Sequence, residues 1–157
     1  SQIRDAKQAL QIPVIGNGDV QIASDVVAMK EQTGCDLVMI GPALIARPWM
    51  LWQVAEAMGA ANPAGRTGRA PSTAEEEARE FYACALEILT KMRETFKPAL
   101  AQKKYLFYIK TASVWLEYGH TLYANVSKCR TFEETETCLH NFFSLEQRMV
   151  RRTEWRV

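Results

Sequence analysis

Two hydrophobic periods divide this chain. Up to residue 58, short continuous apolar runs alternate with segments of helical spacing; from residue 73 onward only spacings of three and four remain. Ile12-Pro13-Val14-Ile15 and Leu37-Val38-Met39-Ile40 are apolar without interruption, which predicts strands buried on both faces. Between them Ser24 is the expected cap of a helix to about Gln32, with Val26, Val27 and Met29 inward and Gly34 as its stop. Gly16-Asn17-Gly18-Asp19 and Gly41-Pro42 are turns after the two strands. Pro48 opens a further helix, Trp49 to Met58, because a proline in the first turn loses no intrahelical hydrogen bond. The order strand, helix, strand predicts a parallel pair. Two such strands do not form a stable sheet alone. The others are expected from the missing N-terminal part of a longer protein or from a second chain.

Residues 59–72 are rich in Gly, Pro and Ala without a period and are expected to be a linker. Beyond it, Ser72 with Glu75, or Thr73 with Glu76, forms a capping box. Ala78, Phe81, Tyr82, Ala85, Leu89 and Met92 then make one apolar stripe. Pro98 starts the next helix, whose stripe Tyr105, Tyr108, Ile109, Ala112, Trp115 and Leu116 is expected to run to a stop at Gly119. A short helix is expected over about Leu122–Lys128. Thr131 and Glu134 cap a last helix with Thr135, Cys138, Leu139, Phe142, Leu145 and Met149 inward. Short loops between these helices predict an antiparallel bundle over residues 73–157.

Composition narrows the function classes. At 157 residues, 48% hydrophobic and 24% charged, the chain is expected to be folded and soluble. No apolar run reaches the length of a membrane span, and the first residues lack the apolar core of a secretory leader. Cys35, Cys84, Cys129 and Cys138 are far apart without a CxxC pair, which disfavours zinc and a disulfide framework and fits reduced thiols in the cytoplasm. Cys35 is expected to be packed and the other three to be small core residues on helices. His120 and His140 suit capping or surface roles better than metal binding or acid–base work.

Charge is uneven. Residues 1–90 hold 7 Lys/Arg against 11 Asp/Glu, and residues 91–157 hold 12 against 7, so the second half suits an anionic partner. Lys103, Phe107 and Lys110 share a helix face, with Lys104, Arg93 and Lys97 nearby. Lys128, Arg130, Arg148, Arg151, Arg152 and Arg156 add further basic surface. Such groups hold phosphates without reading sequence. In the first half, glycine turns at the carboxyl ends of consecutive parallel strands let backbone N–H groups approach a phosphate.

The block Ile12 to Asp19 resembles the seventh barrel strand of the tRNA-dihydrouridine synthases. Thr33-Gly34-Cys35-Asp36 with Leu37–Gly41 resembles the eighth, and Pro48-Trp49 resembles the start of the helix that follows. Lys110 to Leu116 is similar, more weakly, to a basic and aromatic helix of the family. The resemblance implies the last two units of an FMN-binding (β/α)8 TIM barrel over residues 1–58, followed by a helical tRNA-binding domain. It implies a flavoprotein oxidoreductase in which NADPH reduces FMN and uridine in tRNA becomes dihydrouridine. Asn17, Gly18, Asp19, Gly41 and Pro42 would lie at the FMN phosphate, and Lys97, Lys103, Lys104, Lys110, Arg151 and Arg152 at the tRNA. The family has arginine where Pro42 stands, and Arg47 replaces a usual asparagine as a candidate for the missing charge. The family's proton-donating cysteine lies on an earlier loop, so no catalytic residue is expected here. This chain alone is expected to be inactive. Two alternatives remain: a non-catalytic RNA- or protein-binding module, and another FMN-dependent barrel oxidoreductase.

Overall fold

The computed structural model describes residues 1–154, which form two compact units, Ser1–Ala70 and the chain from Pro71 onward. Among the residues named above, Arg156 lies outside the described residues.

The first unit begins with a helix that apolar periodicity did not reveal, α1 (Gln2–Ala9). It has no buried residue. Polar side chains hold it instead. The Ser1 hydroxyl accepts from Arg4 N at 3.4 Å, the Arg4 guanidinium donates to the Gln32 carbonyl, and Lys7 Nζ reaches both carboxylate oxygens of Asp36 at 2.9 and 2.8 Å. Strand β1 (Ile15–Asn17) and strand β2 (Leu37–Met39) pair in parallel, Ile15 opposite Leu37 and Asn17 opposite Met39, around helix α2 (Ala23–Thr33).

Both strands are shorter than expected. The cause is visible at the start of β1. Pro13 has no N–H to offer a ladder, and the Val14 amide donates to the Asp36 carboxylate at 2.7 Å. Helix α2 is capped by Asp25 rather than Ser24: its carboxylate accepts from Gln21 N and Ile22 N at 2.9 and 3.1 Å. Gly34 ends the helix in the left-handed region, φ 71°, as glycine allows.

The expectation of strands buried on both faces fails. Helix α2 covers one face so closely that a β-carbon on Gly16 would stand 2.7 Å from Met29 Sδ and 2.9 Å from Cys35 Sγ. The other face is bare: Ile15, Leu37 and Met39 are 59%, 59% and 52% exposed. After β2 come α3 (Ala43–Ala46), a turn of helix not anticipated, and α4 (Met50–Ala57), which packs on α2 with Trp49, Met50 and Trp52 buried. Residues 59–70 form no helix or strand but are tied to α4. Trp52 Nε1 donates to Asn62 Oδ1 at 3.2 Å, and Arg66 lies 5.4 Å from the centre of the Trp52 ring.

The Asp36 contacts make the first unit acid-sensitive. Hydrogen bonding from Lys7, then from the Val14 amide, holds this carboxyl below its ordinary value. A depressed folded-state pKa stabilises above the unfolded-state value, about 4, and that contribution is lost as pH falls through the lowered pKa. Asp36→Asn should therefore lower stability at pH 7 and flatten the acid limb of unfolding followed by circular dichroism. An unchanged acid limb would mean that the contact carries no linkage.

The second unit is helical. Helix α5 (Ala74–Thr95) starts with the Thr73/Glu76 capping box: Glu76 N donates to Thr73 Oγ1 at 3.1 Å, and Thr73 N donates back to Glu76 Oε2 at 3.2 Å. Helix α6 (Pro98–Ala112) has proline in its first turn, and α8 (Phe132–Phe143) uses the Thr131/Glu134 box. Helix α5 packs on α6 and α8, and α7 (Gly119–Val126) packs on the same two. Phe81, Ala85, Leu89, Tyr105, Ile109, Leu122 and Leu139 fill the middle. The buried Tyr105 hydroxyl is satisfied by the Ala85 carbonyl at 3.1 Å.

Several expectations are corrected here. Helix α6 stops at Ala112 and tightens into a 3-10 turn over Ser113–Trp115, which still buries Trp115 and Leu116. Gly119 then begins α7 instead of ending α6, because α7 starts against the Ser113 carbonyl, where only glycine fits. Leu145, expected inward, lies past the end of α8 and is 70% exposed. Met149 is buried, but through an antiparallel bridge to Leu116 rather than on a helix: Glu117 N donates to the Arg148 carbonyl at 3.0 Å and Val150 N to the Trp115 carbonyl at 2.8 Å. Tyr118, at the same helical spacing as the aromatic residues of α6 and so expected to pack, is exposed instead.

Candidate functional site

The parallel pairing brings the two glycine turns to one edge of the sheet. Asn17 ends β1 opposite Met39, and Gly41-Pro42 follow two residues later. Asn17, Gly18, Asp19, Gly41 and Pro42 are all exposed. Gly18 has φ 142° and Asp19 φ 46°, so the chain reverses through positive-φ conformations there. A β-carbon at Gly18 or Gly41 would meet nothing within 4 Å, so this backbone is open to a ligand.

Charge is arranged differently. Pro42 caps α3 at φ −56° and has neither N–H nor cation to give. Arg47 is 1% exposed, and its guanidinium donates to the Gln21 carbonyl at 3.3 Å. It links the loop after β1 to the chain after β2. What these turns offer a ligand is exposed backbone, with no side-chain cation among residues 17–19, 41 and 42. The Asp19 carboxylate opposes an anion, so its neutralisation must come from cations outside residues 17–19, 41 and 42.

The four thiols are all at least partly covered. Cys35 is buried beneath Gly16, as expected. Cys84, Cys129 and Cys138 are half-buried, and Cys129 follows α7 instead of lying on a helix. Burial, with Cys129 alongside, pushes the Cys138 thiol up to about 11, so it stays protonated at neutral pH. His120 lies exposed in the first turn of α7, and His140 Nδ1 is 3.4 Å from the Tyr82 hydroxyl. Among the described residues no three His, Cys, Asp or Glu side chains gather around a metal-sized space.

The basic face is better formed. From Lys97 to Leu116 there is no Asp or Glu. Lys97, Lys103, Lys104, Phe107 and Lys110 are all exposed, at spacings that align them along α6. Leu100, three residues from both Lys97 and Lys103, is exposed on the same stretch; the sequence marks it by that spacing and not by charge. No ion pair among the described residues engages Lys97, Lys103 or Lys110. Lys104 Nζ sits 4.9 Å from the centre of the Phe96 ring. Other cations are already committed: Arg148 pairs with Glu75 at 2.9 Å and Arg93 with Glu133 at 3.5 Å. Lys128, Arg130, Arg151 and Arg152 are exposed away from α6 in the sequence. Among the described residues no helix is long and apolar enough to cross a membrane.

A parallel β–α–β unit with open turns at its carboxyl edge, followed by a helical unit with a cationic face, has the parts of a β/α-barrel protein extended by helices. A dihydrouridine synthase family model matches residues 1–143, and the chain belongs to that family. It is 43% identical over 79 residues to a protein of Mycobacterium leprae named "Probable tRNA-dihydrouridine synthase", a match covering 50% of this chain and 19% of that protein. It is 33% identical over 89 residues to a protein of the same name from Rickettsia prowazekii, covering 57% of this chain and 23% of that one. It is 45% identical over 53 residues to "tRNA-dihydrouridine synthase B" of Xanthomonas axonopodis, covering 34% and 16%. The chain thus spans less than a quarter of each of these relatives.

Proposed function

We propose that this chain is the C-terminal part of a flavin-dependent tRNA-dihydrouridine synthase, contributing part of the cofactor site and the surface that docks tRNA. The observation that carries the reading is the family match, which runs from the β–α–β unit through the helices to residue 143. The cationic face of α6 gives that helical region a physical reason to meet an RNA.

On this reading, the backbone of Asn17, Gly18, Asp19 and Gly41 holds the FMN phosphate, with Pro42 as an uncharged wall beside it. FMN held there and reduced by NADPH would supply hydride to the uracil ring, whose saturation also takes one proton. Arg47 acts on neither substrate nor flavin; it fixes the loop after β1 so that the turn keeps its shape. Lys97, Lys103, Lys104 and Lys110, with Arg151 and Arg152, hold RNA phosphates, and the target base leaves its stack to be reached. The remaining barrel strands, from the missing N-terminal part, cover Ile15, Leu37 and Met39. The protein works in the cytoplasm, where tRNA and NADPH meet. The proton donor lies outside this chain, so the 157 residues alone are inactive.

The test uses the chain alone and the chain joined behind the preceding barrel units of the Mycobacterium leprae relative. Each is incubated with unmodified tRNA, FMN and NADPH, and digested nucleosides are weighed for the gain of two hydrogens. Product from the joined protein only is expected. Product from the chain alone would overturn the fragment reading, and a joined protein that folds and binds flavin without forming product would overturn the synthase reading.

A further inference from the structure

Phe107 is the most prominent feature on α6 that the phosphate-binding role leaves unused. Its ring is 67% exposed in the middle of a helix. Lys103 and Lys104 precede it by four and three residues, and Lys110 follows by three, so cations flank it on the same face. Lys103 and Lys110 are about 10 Å apart along the axis at 1.5 Å per residue. A nucleic-acid backbone held at both lysines therefore passes Phe107 between its two contacts.

We propose that Phe107 is a stacking platform for an unpaired base of the docked RNA, so that the α6 face selects single-stranded or looped RNA over duplex. The inference rests on the RNA-docking reading and adds a specificity-determining residue to it. A cationic groove supplies attraction that any nucleic acid satisfies, whereas a flat exposed ring gains only from a base whose face is free. Inside a duplex both faces of each base are covered by neighbours, so the ring finds no partner there except at the two ends. The absence of any acidic residue between Lys97 and Leu116 favours a polyanion over a basic or apolar protein segment as the occupant. Leu100, exposed one turn before Lys103, extends the apolar ground beside the ring.

The experiment measures binding of the 157-residue chain to an unstructured RNA dodecamer carrying 2-aminopurine and to a blunt RNA duplex of the same length, at fixed salt. Phe107→Ala should weaken dodecamer binding about tenfold or more, the scale of a lost base–aromatic stack, and leave duplex binding and the salt dependence unchanged. Phe107→Trp should restore dodecamer binding and quench the 2-aminopurine fluorescence. Because the side chain is exposed, the far-ultraviolet spectrum of both variants should match the parent. Equal loss on dodecamer and duplex would overturn the proposal. So would an unaffected Phe107→Ala protein whose binding is nevertheless abolished by Lys103→Glu/Lys110→Glu; that outcome leaves the docking reading standing. Failure of the unsubstituted chain to bind any RNA would overturn both.

Discussion

Gly119→Val should cost the helical unit about 3 kcal/mol, the upper end of what overpacking a core usually costs, and shift its urea midpoint down by more than 1 M at ordinary slopes. Gly119 is fully packed where α7 begins, and a β-carbon there would run into the carbonyl oxygen of Ser113. That oxygen belongs to the backbone of the 3-10 turn and already accepts from Leu116 N at 3.0 Å. No side chain can swing aside to make room. The clash needs only one carbon, so Gly119→Ala should show most of the loss, with valine adding less. At Gly18, where a β-carbon meets nothing, alanine introduces only the strain of a positive φ, and the midpoint should move far less. Equal midpoints for Gly119→Ala and the parent would mean that α7 starts elsewhere.

Lys103→Glu/Lys110→Glu should lower tRNA affinity about a hundredfold near 0.1 M salt and reduce the slope of log K against log salt by about two phosphate contacts. Both side chains are exposed and, among the described residues, outside any ion pair, so the substitution removes attraction without breaking a described ion pair. Reversal also places two carboxylates on a stretch that has none, adding repulsion to the lost attraction. Arg148→Glu is the informative comparison. Arg148 is already engaged with Glu75, and its loss should cost stability more than affinity. Unchanged tRNA binding by the double variant, with helical content intact, would remove α6 from the docking surface.

Local chemistry was the most legible part of this sequence. The parallel pair, the stop at Gly34, the proline opening α6 and the two threonine–glutamate boxes each depend on a few adjacent residues, and each occurs at its expected place. Helix α1 was invisible because it buries nothing and is held by Arg4 and Lys7 reaching residues nearly thirty positions away. The α6 stripe overran because Trp115 and Leu116 are buried whether the backbone is α-helical or 3-10; burial alone does not report pitch. At the candidate site, the positions of the two glycine turns and of the exposed lysines were readable from residue type and spacing. The disposition of Arg47 was not. A cation near a proposed anion site suggested a counter-charge, and its turn inward to the Gln21 carbonyl depends on tertiary packing.

The half-covered sheet also has a practical consequence. Ile15, Leu37 and Met39 face outward from two short strands, and among the described residues no third strand pairs with either. Such a surface is a template for strand addition from any chain that collides with it. Solutions of this protein should age: turbidity should rise faster than in proportion to concentration. A lysine placed at Leu37 would slow that ageing while leaving the helical unit untouched.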